Sequence, residues 1–218
     1  MMKTILPLVL LGCMISCAKK ETGTNEKSGS NQNINLKATT STEEYFNLPR
    51  TLSLPDKPYL FVWSSHPTPE YYKQEYLPAG QTGEHFSEMV LVEVVLGDHI
   101  MHNVAFAKAK EINTRKMTDP LAAYNLGKND DKQEVYLDFI LSEGEGDKAV
   151  AEWNVYRYKK YTDSKGNNGI ALFAWSRRAY GEAVHAFAQD LITNRKQYIL
   201  PFMNQNFPAI AFKDLSEE

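Results

Sequence analysis

Residues 87–95, with the sequence Ser-Glu-Met-Val-Leu-Val-Glu-Val-Val, decide the fold of this chain of 218 residues. The stretch is rich in valine, and β-branched side chains favour extended strands. Apolar residues stand at both odd and even positions, so both faces of such a strand would be apolar. A strand of this kind belongs in the middle of a sheet whose two sides are covered. The stretch therefore predicts a central strand with other elements packed above and below it.

Two strands are predicted before this central strand, and a helix is predicted after it. Residues 58–65 and 70–77 are apolar or aromatic runs joined by the turn His66-Pro67-Thr68-Pro69, which indicates an antiparallel pair. Apolar side chains recur at helical spacing over residues 98–115. Asp98 stands at the start of this run, where an aspartate is a favourable N-cap. The segment therefore predicts a helix capped by Asp98.

The second half of the chain predicts four strands and a final helix. Residues 118–126 favour a weak strand, and residues 132–141 alternate between apolar and polar side chains. Residues 149–162 and 169–180 predict a long hairpin, because the turn between them is rich in Asp, Ser, Gly and Asn. The last helix is predicted over residues 182–204, and its proline should kink or end it.

These elements predict an α+β domain with a mostly antiparallel sheet and two packed helices, in the order β-β-β-α-β-β-β-β-α. Residues 76–82, followed by Phe86-Ser87-Glu88-Met89, look like the link into the strand before the first helix of PsbP-like proteins. The element order also resembles the PsbP-like fold, which is named for an extrinsic photosystem subunit and occurs in small bacterial lipoproteins. The resemblance covers residues 58–207. It implies a scaffold that binds or supports partners, and it implies no particular activity.

The N-terminus predicts export and lipidation. Met1-Met2-Lys3 is a short basic start, residues 4–15 are largely apolar, and the chain turns polar from Ala18 onward. This pattern is typical of a secretory signal. Met14-Ile15-Ser16-Cys17 resembles the lipobox of bacterial lipoproteins, and this resemblance implies cleavage before Cys17 and acylation of its thiol.

Three alternatives to lipidation at Cys17 stay open. Leu10-Leu11-Gly12-Cys13 also fits the lipobox pattern, although cleavage there would leave a marginally short apolar core. A secretory signal could be cleaved without lipidation. A permanent transmembrane helix is the third alternative, but it needs roughly 20 apolar residues, which is more than this run contains.

Lipidation at Cys17 divides the chain into a signal peptide (1–16), a lipidated N-terminus with a flexible tether (17–41) and a single globular domain (42–218). The tether is predicted to be flexible because it contains almost no large apolar residue. Ala18 follows the lipidated cysteine, and in the lipoprotein family this implies anchoring in the outer membrane, facing the periplasm. Cys13 and Cys17 are the only cysteines, so the mature protein would have no free thiol and no disulfide.

The sequence contains no recognisable catalytic, metal or cofactor motif. A formal net charge of −3 argues against a nucleic-acid partner. His99 and His102 stand three residues apart beside Asp98, but no third metal ligand is apparent, which favours surface or capping roles. Gly144-Glu145-Gly146 is flanked by acids that would repel a phosphate, and no Gly-x-Ser-x-Gly motif occurs. We therefore expect no metal and no cofactor.

The predicted hairpin is the one candidate binding surface in the sequence. Aromatic side chains crowd it and basic ones are interleaved, and Tyr, Trp and Arg are common at the centres of protein interfaces. We expect part of the neighbourhood of Tyr156, Tyr158 and Arg177 to face solvent and to bind a protein partner. Ordinary packing between strands and a glycan-stacking face are the alternatives.

The sequence as a whole predicts a lipid-anchored cell-envelope protein with a non-enzymatic, protein-binding or accessory domain. The absence of a catalytic motif weakens an enzyme interpretation without excluding it. The alternative function is therefore a membrane-tethered hydrolase or small-ligand-binding protein whose site is scattered along the sequence. A deep pocket with converging polar groups would favour this alternative, whereas a shallow surface with exposed aromatic side chains would favour the protein-binding function.

Overall fold

A computed structural model describes residues 40–41, 43–54 and 57–213, which belong to one compact unit of the chain. The strands are β1 (Thr40–Ser41), β2 (Thr51–Leu54), β3 (Lys57–Thr68), β4 (Tyr71–Leu77), β5 (Glu88–Leu96), β6 (Ala123–Asn129), β7 (Glu134–Glu143), β8 (Val150–Thr162) and β9 (Asn168–Tyr180). The helices are α1 (Met101–Arg115) and α2 (Ala183–Asn204), and a short 3₁₀ turn, Gly146–Lys148, lies between β7 and β8.

The strands form one antiparallel sheet. Their order is β1-β3-β4-β5-β9-β8-β7-β6, and β2 pairs with β3 outside this path. Helix α2 contacts β8 and β9 on one face of the sheet, and helix α1 contacts β6, β7 and β8 on the other face. The predicted α+β class, with a mostly antiparallel sheet and two packed helices, is therefore confirmed.

Strand β5 lies in the middle of the sheet, as predicted from its two apolar faces. Residues 89–95 are all buried. The even-numbered valines of this strand join an apolar core that includes Leu191 and Phe202 of α2. Leu91 and Glu93 point to the opposite face because side chains alternate along a strand. Burial on both faces explains why this stretch is almost continuously apolar.

Both predicted helices are present, but Asp98 was wrongly predicted to be the N-cap of the first one. Helix α1 has Ile100 as its N-cap, without a side-chain cap hydrogen bond, so Asp98 is not the cap. The Asp98 carboxylate instead accepts a weak hydrogen bond of 3.4 Å from Asn168. Helix α2 continues through Pro201 to Asn204. The proline is tolerated because it lies in the last turn, where it removes one hydrogen bond without interrupting a longer helix.

Two short strands were missed, and one predicted strand begins later than expected. β1 lies within the predicted tether, yet it pairs with Ser64 and Ser65 of β3. A two-residue strand has no periodicity of its own, so only its pairing identifies it. β6 begins at Ala123, whereas residues 118–126 were predicted. The signal peptide, Cys17 and the rest of the tether fall on residues 1–39, which lie outside the described residues.

Candidate functional site

Tyr156 and Tyr158 are buried, so the prediction that these two side chains face solvent is wrong. Each is 2% exposed. Both lie on the sheet face that α1 covers, where Phe139 packs edge-on against Tyr156 with ring centroids 4.9 Å apart. Alternation along β8 points both side chains into this layer and away from water. Their role is therefore core packing, and they cannot form a binding surface.

Arg177 lies on the opposite face of the sheet, beneath α2, and is partly exposed. Its guanidinium carbon lies 4.2 Å from the ring centroid of Tyr198 and 5.7 Å from that of Phe187. Arg177 Nη1 lies 3.8 Å from Asp190 Oδ2. The three predicted binding residues therefore do not share a surface. Arg177 holds α2 through stacking and charge.

Two clefts open beside α2 because this helix lies shallowly on the sheet. Only Leu191 and Phe202 of its 22 residues are buried. We call the larger space the Asp138 cleft; it has a volume of about 580 Å³ and lies between residues 188–196 of α2 and strands β6 to β8. Its apolar lining includes Leu121, Ile140, Trp153, Leu191 and Ile192. This size is in the range of pockets that bind small molecules.

Asp138 is the buried polar group of the larger cleft. It is 1% exposed, accepts a hydrogen bond of 3.3 Å from Asn125 Nδ2, and pairs with Arg195 Nη1 at 3.0 Å. Burial raises the pKa of its carboxyl group above the ordinary value, and the Arg195 charge opposes this shift. The pair places one carboxylate and one guanidinium beside an apolar wall. Such an arrangement can orient a polar group of a ligand.

The residues that line the Asp138 cleft include no nucleophile activated by a base. Its threonine, Thr193, donates a hydrogen bond to the backbone oxygen of Gln189, as expected for a helix side chain. Hydrolysis by nucleophilic catalysis requires a nucleophile and a base within hydrogen-bond reach of each other. The geometry of the cleft therefore supports binding better than it supports hydrolysis.

The smaller space, which we call the Glu88 cleft, has a volume of about 270 Å³ and lies on the other side of α2. Tyr59 Oη donates a hydrogen bond of 2.5 Å to Glu88 Oε2, and Trp175 Nε1 donates one of 3.2 Å to Tyr59 Oη. Burial and the hydrogen bond to Glu88 both raise the pKa of the Tyr59 hydroxyl. Arg177 also lines this cleft. Tyr59, Trp175 and Glu88 satisfy one another's polar atoms, whereas Arg177 Nη1 has no hydrogen-bond partner among the described residues.

The histidines considered in the sequence do not come together as a metal site. His99 Nε2 lies 3.2 Å from the backbone oxygen of Leu96, and the His102 ring stacks on Phe106 with centroids 6.4 Å apart. Within residues 40–41, 43–54 and 57–213, no group of three or more His, Cys, Asp or Glu side chains could hold a metal ion. Neither described helix is long and apolar enough to cross a membrane.

The sequence prediction missed Asp138 and Arg195 because only the packing of α2 on β7 brings them together. The alternation of residues 132–141 indicated one apolar face and left Asp138 on a face expected to be polar. One feature of the sequence could have indicated this ion pair. Arg195 falls on the apolar face of the last helix, and a charged residue at such a position often has a buried partner of opposite charge.

Comparison with known proteins gives one positive result. A protein-family model matches residues 46–207, a segment that begins before β2 and ends just after α2. No curated protein and no solved structure matches the chain. The resemblance to the PsbP-like fold therefore stays a prediction.

Proposed function

The chain belongs to the family whose model matches residues 46–207, and we propose that it is a lipid-anchored envelope protein that binds a small ligand in the Asp138 cleft. In this proposal Cys17 carries the lipid, and the outer membrane holds the protein with its domain in the periplasm. The domain binds its ligand without transforming it. The observation that carries the proposal is the cleft itself, which combines an apolar lining of small-molecule size with a buried carboxylate and guanidinium.

Small-ligand binding is favoured over the protein-binding function because the aromatic surface on which the latter depended is absent. Tyr156 and Tyr158 are core residues, and Arg177 is occupied beneath α2. Solvent reaches the Asp138 cleft instead, and Ile192 at its edge is 78% exposed. An exposed apolar side chain beside an apolar cleft is the kind of surface that a ligand would cover.

A protein partner remains the second candidate, supported by the outer surface of α2. Ile192 and Leu200 are both exposed there. A partner that covers α2 would bury both side chains and would also close the Asp138 cleft. Crosslinking from position 200 in intact envelopes tests this candidate. Recovery of the same envelope protein from Leu200 and Ile192 crosslinkers, but not from one at exposed Phe106 of α1, would support it.

A neutral fluorescent probe tests the proposed function. The full chain with Cys17→Ser, which carries no acyl chain at that position, is titrated with the uncharged fluorophore N-phenyl-1-naphthylamine. We expect saturable binding with one probe per chain. Ala188 lines the Asp138 cleft, so Ala188→Trp should fill it and weaken binding at least about tenfold, since an apolar ligand of this size gains several kcal/mol from burial.

Two matched variants control for the added tryptophan. Ala186→Trp places the same side chain at an exposed position of α2, and Gln197→Trp places it in the Glu88 cleft. Both should bind the probe like the parent chain. Loss of binding in Gln197→Trp alone would move the site to the Glu88 cleft. No saturable binding by the parent chain would contradict the proposed function.

A further inference from the structure

We propose that the ligand of the Asp138 cleft is an amphipathic anion, with an alkyl chain against the apolar wall and a carboxylate at the Arg195 and Lys196 end. This inference rests on the proposed function and specifies its ligand. The structure supports it through three features of the cleft: its wall, its charge and the way in which its one acid is already paired.

The wall of the cleft suits an alkyl chain. Ile140, Trp153 and Leu191 provide apolar surface along its length, and Ile192 extends this surface to the exposed edge. These apolar residues come from two strands and a helix, so they face the cleft from more than one side. A chain of methylene groups gains affinity with each group that it buries.

The open end of the cleft carries two neighbouring cations. Arg195 and Lys196 follow each other in α2, and both line the cleft. Lys196 is exposed, and within the described part of the chain its ammonium group belongs to no ion pair. Arg195 uses Nη1 for Asp138. Its other N–H groups can donate to a ligand, because a guanidinium carries five donors.

Asp138, the one acid among the described residues that line the cleft, does not make the cleft a cation site. Asp138 already accepts hydrogen bonds from Asn125 and Arg195. A ligand ammonium would have to displace Arg195 to reach the carboxylate, and it would approach past Lys196. Because like charges repel, Lys196 would oppose the approach of a ligand cation. The arrangement therefore favours a ligand anion over a ligand cation.

Three ligands with the same chain and different head groups test the inference. The full chain with Cys17→Ser is titrated by calorimetry with decanoate, decanol and decylamine, each below its aggregation threshold. Decanoate should bind about twofold to fivefold more tightly than decanol, as expected for partly exposed ion pairs. Decylamine should bind most weakly. Across octanoate, decanoate and dodecanoate, affinity should rise about fourfold per methylene until the cleft is filled.

Charge variants locate the head group. Lys196→Glu should reverse the preference between decanoate and decylamine and leave decanol binding unchanged. Lys110→Glu, on the exposed surface of α1, is the matched control and should change none of the three affinities. Lys196 is preferable to Arg195 as the test position because loss of Arg195 would also leave Asp138 without its partner. Higher salt should weaken decanoate binding and spare decanol.

The outcomes separate this inference from the proposed function. Equal binding of the three ligands, or an unchanged preference in Lys196→Glu, would overturn the amphipathic anion while leaving the cleft as a binding site. Binding of none of them, together with failure of the neutral probe, would overturn the proposed function itself. A vesicle arm identifies the source of the anion. The parent chain and Lys196→Glu are each tested for binding to phosphatidylcholine vesicles that contain decanoate and for binding to free decanoate. Lys196-dependent binding to the vesicles indicates a membrane source of the anion. Lys196-dependent binding to free decanoate alone indicates a free source.

Discussion

Arg157 and Glu134 form a two-point ion pair inside the protein, with Nε and Nη2 of the arginine each 2.8 Å from a carboxylate oxygen. The arginine side chain is 0% exposed and the glutamate side chain 1%. Arg157 Nη1 also donates to the backbone oxygens of Phe202 and Gln205, at 2.9 and 3.0 Å. A cation therefore binds the carbonyl end of α2, where the helix dipole favours positive charge. This contact ties α2 to β8.

We expect Arg157→Met to destabilise the protein by about 3–5 kcal/mol, because it leaves Glu134 buried without a partner. Urea unfolding measures the change. The double variant Arg157→Met with Glu134→Leu should lose less than the single variant, since no unpaired charge remains. The exposed pair of Lys128 and Asp130 is the control; Lys128→Met should cost no more than about 1 kcal/mol. A double variant as unstable as the single one would contradict this account.

The basic residues of the β8–β9 hairpin show what could not be predicted from the sequence, namely which strand faces are covered by other elements. Strand and helix positions followed from periodicity, so β3 to β5, β7 to β9 and both helices were largely predicted. Periodicity gives the two faces of a strand, but it does not say which element covers each face. A charged residue in a strand normally indicates solvent, whereas Arg157 is buried because Glu134 and the end of α2 satisfy its donors.

The Asp138 cleft was not predictable for a similar reason. Asp138 and Arg195 belong to β7 and α2, which are distant in the sequence, and only the tertiary packing of α2 brings the two side chains within 3.0 Å. The sequence analysis predicted a binding surface at Tyr156 and Tyr158 because of their residue type. Interface residues and core residues share that composition, since aromatic side chains dominate both.

Tyr158→Ala should destabilise the protein by about 3–5 kcal/mol, as expected for truncation of a large core side chain. Tyr158 lies between Val135 and Leu172 of the neighbouring strands. Tyr158→Phe keeps the ring and should cost much less than Tyr158→Ala, because it leaves no large cavity. Thermal unfolding measures both changes, and Met117→Ala at an exposed position should have almost no effect. If Tyr158→Ala leaves the melting temperature unaltered, Tyr158 is not a core residue and lies at the protein surface.

Cys17→Ser should prevent lipidation and leave the protein unprocessed or soluble. Cys17 is the residue that the lipobox resemblance assigns to the acyl chains, and two chains give stable anchoring where one is marginal. Metabolic labelling with a radioactive fatty acid, followed by fractionation of the envelope, measures the outcome. Cys13→Ser is the matched control and should be labelled normally. Label that persists in Cys17→Ser and disappears in Cys13→Ser would move the anchor to Cys13.

Glu93→Gln should stabilise the protein at pH 7, because burial makes the charged form of the Glu93 carboxyl group unfavourable. It is 1% exposed and lies opposite Lys73 on β4. Lys73 pairs with Glu75 at 2.8 Å, and Lys108 pairs with Glu111 at 3.0 Å. Burial raises the pKa of the Glu93 carboxyl group. The charge of Lys73 opposes this shift but does not cancel it.

The sign of the pH dependence follows from this raised pKa. The folded protein holds the Glu93 proton more tightly than the unfolded chain does, so stability falls as the pH rises above the ordinary carboxyl value of 4.5. Glu93→Gln removes this loss. Its advantage over the parent chain should be about 1–3 kcal/mol at pH 7 and should shrink toward zero below pH 4.5. Thermal unfolding from pH 3.5 to 8 measures it, with exposed Glu84→Gln as the control. A constant difference between Glu93→Gln and the parent chain across this range would mean that the Glu93 carboxyl group ionises alike in the folded and unfolded states.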